Sequence, residues 1–191
     1  PHLNIYSQHL KELGQLTCGS PPAAVLASQK CVRDDIIEML RDTTLDLIYL
    51  YCHAYASWEK NYFAPYLEFG TDSSPARIRS DQFDFELPWQ HYPLVFLNGC
   101  GTAGFNPEAT SPFIEKFVRD RKAAGVVGTE IPVWEQLASE FARRFLLKFL
   151  GGSTAGMSLL SARRELLSQN NPLGLAYTLY GPAHLKLACM E

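Results

Sequence analysis

The stretch Pro93–Gly104 (PLVFLNGCGTAG) constrains the fold of this chain more than any other. Its first part, Leu94–Leu97, is wholly apolar and ends at Asn98-Gly99. Such a short apolar run is typical of a strand that is buried on both faces, as in the middle of a parallel sheet. The glycines that follow allow a sharp turn and leave Cys100 with little cover. Because ligands of open α/β sheets bind beyond the carboxyl ends of the strands, Cys100 is placed where a nucleophile would act.

A second apolar run, Leu45–Cys52 (LDLIYLYC), ends in the same way at His53. Two buried strands that deliver a histidine and a cysteine outline a Cys–His pair, in which the imidazole activates the thiol. The backbone N–H groups of Ala54 and Cys100 would then be placed as an oxyanion hole. Cys52 should point to the opposite face of its strand and belong to the core. From the residues alone a structural interpretation stays open, since cysteines are often buried and strand-end histidines are often only structural.

The other segments predict alternating helices and strands. Helical spacing of apolar residues marks Ser28–Arg41, Gln136–Leu150 and Met157–Leu167, and Pro112 can open a further helix. Short apolar strands are expected at Val126–Thr129 and Leu175–Tyr180. This order predicts an α/β fold with three layers, a mostly parallel sheet flanked by helices. The aromatic-rich stretch Tyr55–Glu68 is either core beneath His53 or a mobile flap over a substrate groove, and Phe69–Ser80 is expected to be an exposed loop or hairpin.

Composition limits the classes of partner. The 191 residues fit one domain, 1–191, and a net charge of −3 without a long basic run argues against nucleic acid as a direct partner. No apolar stretch reaches the ~18 residues that span a bilayer, so no membrane association is expected. The five cysteines are odd in number and lack C-x-x-C spacing, which predicts neither a zinc site nor a disulfide framework. We therefore expect no metal and a reducing, cytoplasmic location.

Four segments carry a family resemblance, in this order along the chain: LDLIYLYCHAYA, PLVFLNGCGTAG, AAGVVGTEIPVWEQLASEFARRFLLKFLGG and SLLSARRELL. Together they resemble the signature segments of CHAT-domain cysteine peptidases, which belong to the caspase-like group with separase, legumain and gingipain. The resemblance extends from about Ser28 to about Pro182. It implies a caspase-like fold in which His53 is the catalytic base, Cys100 is the nucleophile, and no cofactor or metal takes part.

The chain departs from the family pattern close to these residues. Ala54 stands where the family usually has glycine, Gly101 where relatives often have an acidic residue, Glu130 where they have an apolar one, and Glu135 where they have aspartate. Separase and gingipain use an acidic pocket to cleave after Arg or Lys, so Glu130 or Glu135 near the Cys100 rim indicates a basic P1 residue. For Glu135 the ordinary role of an acid at the start of a helix stays equally open.

The resemblance implies a cysteine endopeptidase that acts on a protein substrate. The alternative is a catalytically silent caspase-like module that binds partners through the same groove. Relatives usually lie at the C-terminus of longer chains with TPR repeats or sensor domains, and a partner or ligand activates them. We expect the same here, with the family's first strand and helix short or missing before Ser28. The expected gating segments are the loops Tyr55–Ser80 and Thr102–Ser111.

Overall fold

The structure is a computed structural model that describes residues 6–14, 16, 32–59, 62–71, 74–83, 87–99, 112–131 and 133–187. Its helices are α1 (Tyr6–Gly14), α2 (Arg33–Arg41), α3 (Pro112–Glu115), α4 (Glu135–Leu150) and α5 (Ala155–Ser168). Its strands are β1 (Leu47–Tyr51), β2 (His53–Glu59), β3 (Tyr62–Thr71), β4 (Ser74–Arg79), β5 (Leu94–Asn98), β6 (Gly125–Thr129) and β7 (Tyr177–Tyr180). Short 3₁₀ turns cover Ser80–Phe83 and Pro172–Ala176, and the π-helical turn Lys116–Asp120 continues α3.

The central sheet has the strand order β1-β5-β6-β7. Strands β1, β5 and β6 are parallel, and β7 runs antiparallel to β6. The register pairs Leu47 with Leu94 and Tyr51 with Asn98, so β1 and β5 end level with each other. This confirms the predicted mostly parallel sheet and places the carboxyl ends of its two first strands at one edge.

Alternating side chains of the central sheet enter two separate cores. Phe96 and Val127 pack with α1, α4 and α5 on one face, whereas Val95 and Val126 pack with α2 and α3 on the other. All four of these side chains are fully buried. When both faces of a strand are covered, none of its side chains points into water. This explains why Leu94–Leu97 of β5 are all apolar. The result is the predicted three-layer, caspase-like α/β fold.

Local signals explain where α4 and α5 begin and end. Helix α4 ends at Leu150, and the N–H of Gly151 donates to the carbonyl of Leu147 at 3.2 Å. Helix α5 begins after Thr154, whose hydroxyl oxygen accepts the N–H of Met157 at 3.3 Å. Helix α4 therefore stops at a glycine, and helix α5 starts after an N-cap threonine.

A second, antiparallel sheet with the order β2-β3-β4 follows the first strand. The expectation of gating loops over Tyr55–Ser80 was wrong for the described part of that stretch, which is nearly all strand. The hairpin that was one alternative for Phe69–Ser80 is present, formed by β3 and β4. The physical reason is a buried face, on which Leu67, Phe69 and Ile78 pack into the α2-side core. Glycines and prolines at the strand ends and within β3 obscured this period-2 pattern in the sequence.

Candidate active site

His53 lies at the carboxyl edge of the central sheet. The chain leaves β1 at Cys52, whose N–H donates to the carbonyl of Asn98 at 3.4 Å, and His53 is the first residue of β2. The side chain of Cys52 is buried, as predicted for a core residue, and its thiol lies 4.0 Å from the carbonyl oxygen of Leu50. The His53 ring is half-buried, 6.1 Å from the ring of Tyr55. Its Nε2 atom is buried and has no hydrogen-bond partner among the described residues.

The end of β5 lies at the same edge. Cys100 itself falls outside the described residues, which stop at Gly99 on this side. Asn98 is 1% exposed, and the carbonyl of Gly99 accepts the hydroxyl of Thr129 at 2.6 Å. Tyr51 and Asn98 are register partners at level strand ends, so Gly99 follows β5 directly and His53 follows β1 after Cys52. The structure thus brings the predicted histidine and the residue before the predicted cysteine to one place.

Asn98 is the centre of a buried polar network beneath this edge. Its Nδ2 atom donates to the hydroxyl of Tyr49 at 2.7 Å and to the carbonyl of Ala138 at 2.9 Å. Its Oδ1 atom accepts the hydroxyl of Tyr177 at 2.7 Å. The amide thereby connects β5 to β1, α4 and β7 through three side-chain bonds. Every polar atom of the Asn98 side chain is engaged, which orients the end of β5 in a single way.

The network continues from Tyr49 to α1. The Tyr49 hydroxyl lies 2.6 Å from Nε2 of His9, and Nδ1 of His9 lies 2.9 Å from the hydroxyl of Ser139. Neutral His9 has one donor and one acceptor ring nitrogen, and these two nitrogens bind the hydroxyls of Tyr49 and Ser139. Burial lowers the pKa of His9 from 6.5 to about 4, and burial raises the pKa of Tyr49. Both groups are therefore neutral near pH 7.

The two predicted specificity acids occupy different positions. Glu130 follows β6 directly and is exposed, and its Oε1 atom accepts the hydroxyls of Thr178 at 2.8 Å and Tyr180 at 3.4 Å. Burial of Tyr180, and secondarily the Glu130 carboxylate, raises the pKa of that phenol. Glu135 is the half-buried first residue of α4, and its carbonyl accepts the Tyr51 hydroxyl at 3.4 Å. This is also the position of an acidic residue at the start of a helix, the alternative role that the sequence left open.

Comparison with known proteins identifies the family. The model of the CHAT domain matches residues 5–181. The chain belongs to the CHAT-domain family. A protein of Vitiosangium sp. described as a probable protease is 35% identical over 193 residues, and the alignment covers 98% of this chain. This CHAT domain spans 24% of that relative's length.

Sequence reasoning missed the polar network of the CHAT domain. Asn98 was visible as the polar residue that closes an apolar strand, and Tyr49 and Tyr51 alternate within β1. His9 had no such signal, because α1 lies far from β1 in the sequence. The remaining predicted residue, Ala54, is the half-buried second residue of β2, with Leu67 as its register partner.

Two further classes of site are absent from the part of the CHAT domain that the structure describes. In that part, no three histidine, cysteine, aspartate or glutamate side chains are grouped so that they could hold a metal ion. No described helix is both long enough and apolar enough to cross a membrane.

Proposed function

We propose that this CHAT domain is a cysteine endopeptidase in which Cys100 is the nucleophile and His53 is the general base. The observation that carries the proposal is the buried Nε2 atom of His53, which has no partner among the described residues at the edge where β1 and β5 end level. A buried polar atom without a partner is costly in a purely structural histidine and is expected in one that serves a reactant. The family and the probable protease of Vitiosangium support a peptidase-like function.

The reaction would follow the chemistry of a thiol and an imidazole. His53 takes the thiol proton, and the thiolate sulfur of Cys100 attacks the carbonyl carbon of the scissile bond while the π electrons move to oxygen. The tetrahedral intermediate collapses, the C–N bond breaks, and the His53 imidazolium gives its proton to the leaving amine. A water molecule then attacks the thioester and gives a proton to His53. The C–S bond breaks and releases the acid and the thiolate.

The substrate contacts belong to the same proposal. Backbone N–H groups of Ala54 and Cys100 stabilise the oxyanion, and a carboxylate of Glu130 or Glu135 receives a basic P1 side chain. Glu130 is the first candidate because the Thr178 hydroxyl holds its carboxylate at the carboxyl end of β6. We further propose a protein substrate, activation by a partner or by a fused sensor or TPR region, and a cytoplasmic location in which the thiolate stays reduced.

The test is site-selective modification combined with cleavage. We expect a peptidyl electrophile with a C-terminal arginine to label Cys100 and not the buried Cys52, as read by mass spectrometry. Cys100→Ala should reduce cleavage below ~1% of the unmodified rate, and His53→Ala should do nearly the same. His184→Ala, at an exposed histidine outside the proposed site, is the matched control.

Two results would contradict the assignment. Cleavage by Cys100→Ala above that level would require another nucleophile, and a rate within tenfold of normal for His53→Ala would require another base. If, with and without a co-expressed candidate partner, the electrophile labels no cysteine selectively and no peptide is cleaved, the CHAT domain is the silent binding module instead.

A further inference from the structure

We propose that Thr129 is a positioning residue for the turn that carries the nucleophile, an inference that rests on the proposed function of Cys100. The hydroxyl of Thr129 donates to the carbonyl of Gly99 at 2.6 Å, and the Thr129 side chain is completely buried. The bond joins the last residue of β6 to the residue that precedes Cys100. Thr129 contacts no reacting atom in this scheme and acts only through that peptide group.

The hydroxyl acts where the main chains of β5 and β6 have stopped pairing. Their parallel register runs from Leu94 with Gly125 to Phe96 with Val127, and no later pair is present among the described residues. Two residues further along β6, the side chain of Thr129 reaches across to β5. A side-chain hydrogen bond thus replaces the main-chain hydrogen bonds between β5 and β6 at the point where β5 ends beside the proposed site.

The carbonyl of Gly99 belongs to a peptide group that takes part in the proposed reaction. It belongs to the peptide group that joins Gly99 to Cys100, and a peptide group is planar, so a bond to its oxygen restricts the whole group. Without a Cβ, Gly99 offers little resistance to rotation of that group. The residue before it is already held, because Asn98 is bound by Tyr49, Ala138 and Tyr177. The Thr129 hydroxyl therefore restricts the backbone rotation that remains possible after Asn98.

The consequence is specific to oxyanion stabilisation. The same peptide group carries one of the two proposed oxyanion donors, the N–H of Cys100. A peptide group that rotates would weaken the stabilisation of a tetrahedral adduct more than the reactivity of the thiol itself. Two probes separate these effects. Iodoacetamide alkylates sulfur by displacing iodide and forms no oxyanion. A peptide aldehyde with a C-terminal arginine accepts the thiolate at carbon, and its carbonyl electrons move to oxygen, which is then protonated.

The experiment compares Thr129→Val, which removes the hydroxyl at nearly constant volume, with Thr129→Ser, which keeps it. The matched control is Ser158→Ala, which removes another fully buried hydroxyl that donates to a backbone carbonyl, that of Thr154 at 2.9 Å. We expect Thr129→Val to weaken aldehyde inhibition by about tenfold or more while the iodoacetamide rate of Cys100 stays within about twofold. Thr129→Ser should restore aldehyde affinity to within about threefold, and Ser158→Ala should leave both readouts unchanged.

The possible failures are distinguishable. Aldehyde affinity of Thr129→Val equal to that of the unmodified chain, with Cys100→Ala inactive, would overturn the inference and leave the proposed function standing. If Thr129→Val loses aldehyde affinity and iodoacetamide rate equally, or if Ser158→Ala loses as much aldehyde affinity as Thr129→Val, Thr129 has a merely structural role. Either result would also overturn the inference. If the unmodified chain binds neither the arginine aldehyde nor an aldehyde of the P1 residue that a peptide library favours, or if Cys100→Ala still cleaves peptide, the proposed function fails and the inference fails with it. Urea unfolding of each variant shows whether the compared chains are folded.

Discussion

At the scale of single residues, folding changes the protonation of His9. It is 1% exposed, and burial lowers its pKa from 6.5 to about 4. The folded state thus favours the neutral ring, and the stabilisation is complete above pH 6.5. As the pH falls toward 4, the unfolded chain binds a proton that the folded chain excludes, and the free energy of unfolding decreases. Protonated His9 carries hydrogens on both ring nitrogens, so the ring would have to donate both of its bonds to the hydroxyls of Tyr49 and Ser139.

We therefore predict an acid-sensitive fold that depends on His9. Between pH 7.5 and 4.5, the free energy of unfolding of the unmodified chain should fall by roughly 2–3 kcal/mol more than that of His9→Gln. Urea unfolding at the two pH values measures the difference. His184→Gln, at an exposed histidine, should retain the full pH dependence. Identical pH dependence in His9→Gln and in the unmodified chain would contradict the prediction.

The second prediction at this scale concerns the P1 residue. A carboxylate of Glu130 or Glu135 would bind a P1 cation by a charge-assisted hydrogen bond, which contributes roughly 1.5–3 kcal/mol. Glu130→Gln or Glu135→Gln should therefore lower kcat/KM for arginine substrates at least tenfold relative to norleucine substrates. A peptide library measures this preference, and Glu38→Gln, on the exposed side of α2, is the control. Cleavage after aspartate, or after apolar residues with both variants unchanged, would refute the acidic pocket and leave Cys100 and His53 unaffected.

At the scale of elements, α4 supports the sheet from the side of the polar network. Phe145 is fully buried, and its ring packs edge-on against that of Phe96 with centroids 5.2 Å apart. Phe141 stacks on Tyr177 with centroids 3.7 Å apart, so the same helix also holds a partner of Asn98. Packing by α4 therefore supplies apolar support to β5 on the face of the polar network.

We predict that this support is sensitive to cavity formation. Phe145→Ala should lower the free energy of unfolding by about 3–5 kcal/mol, because the buried ring leaves a cavity against Phe96. Leu147→Ala changes the same helix at a side chain that is 51% exposed and should cost less than about 1 kcal/mol. Urea unfolding at one pH compares the two. Similar losses in both variants would mean that helix propensity, and not packing, dominates at these positions.

At the scale of the whole molecule, the antiparallel sheet changes the expectation about gating. Strands β2, β3 and β4 occupy most of Tyr55–Ser80, and their inner face is buried against the α2-side core. That stretch is part of the folded body in the described residues. The other proposed gating segment, Thr102–Ser111, lies outside the described residues and stays a prediction.

We predict that the isolated chain cleaves short peptides weakly or not at all and that a partner or ligand increases the rate. The physical reason is that segments beside an active site often require ordering before the catalytic groups are complete. Turnover of an arginine peptide, measured with and without a co-expressed candidate partner, tests this. Modification of Cys100 by iodoacetamide is the control that the thiol is present in both samples. High turnover by the isolated chain would contradict the gating proposal.

The fold was predictable where the pattern is local. The four apolar residues Leu94–Leu97 and the turn after them specify a doubly buried strand, and the structure has β5 there. Apolar residues at helical spacing predicted Gln136–Leu150, and α4 begins one residue earlier. A hairpin over Phe69–Ser80 was one predicted alternative, but the full sheet β2-β3-β4 was not predicted, since its alternation becomes clear only when Leu67 and Ile78 are seen facing the same core.

The candidate site was predictable only in outline. The sequence placed His53 and Cys100 after two buried strands, and the level ends of β1 and β5 agree with that for His53. Asn98 and Thr129 were not identified as supports of the site. Their roles depend on which strands become neighbours, and strand order is a property of the folded sheet.

The sequence by itself determined the α/β class, the two strands that lead to His53 and Cys100, and the two long helices. These features depend on side-chain periodicity and turn residues within a few positions of one another. Only the tertiary structure decided that His9 pairs with Tyr49, 40 residues away, and with Ser139, 130 residues away. It also decided that Thr129 binds the carbonyl before Cys100. Polar groups find such partners only when burial removes water and leaves no other hydrogen-bond partner. Burial is a property of the packed molecule.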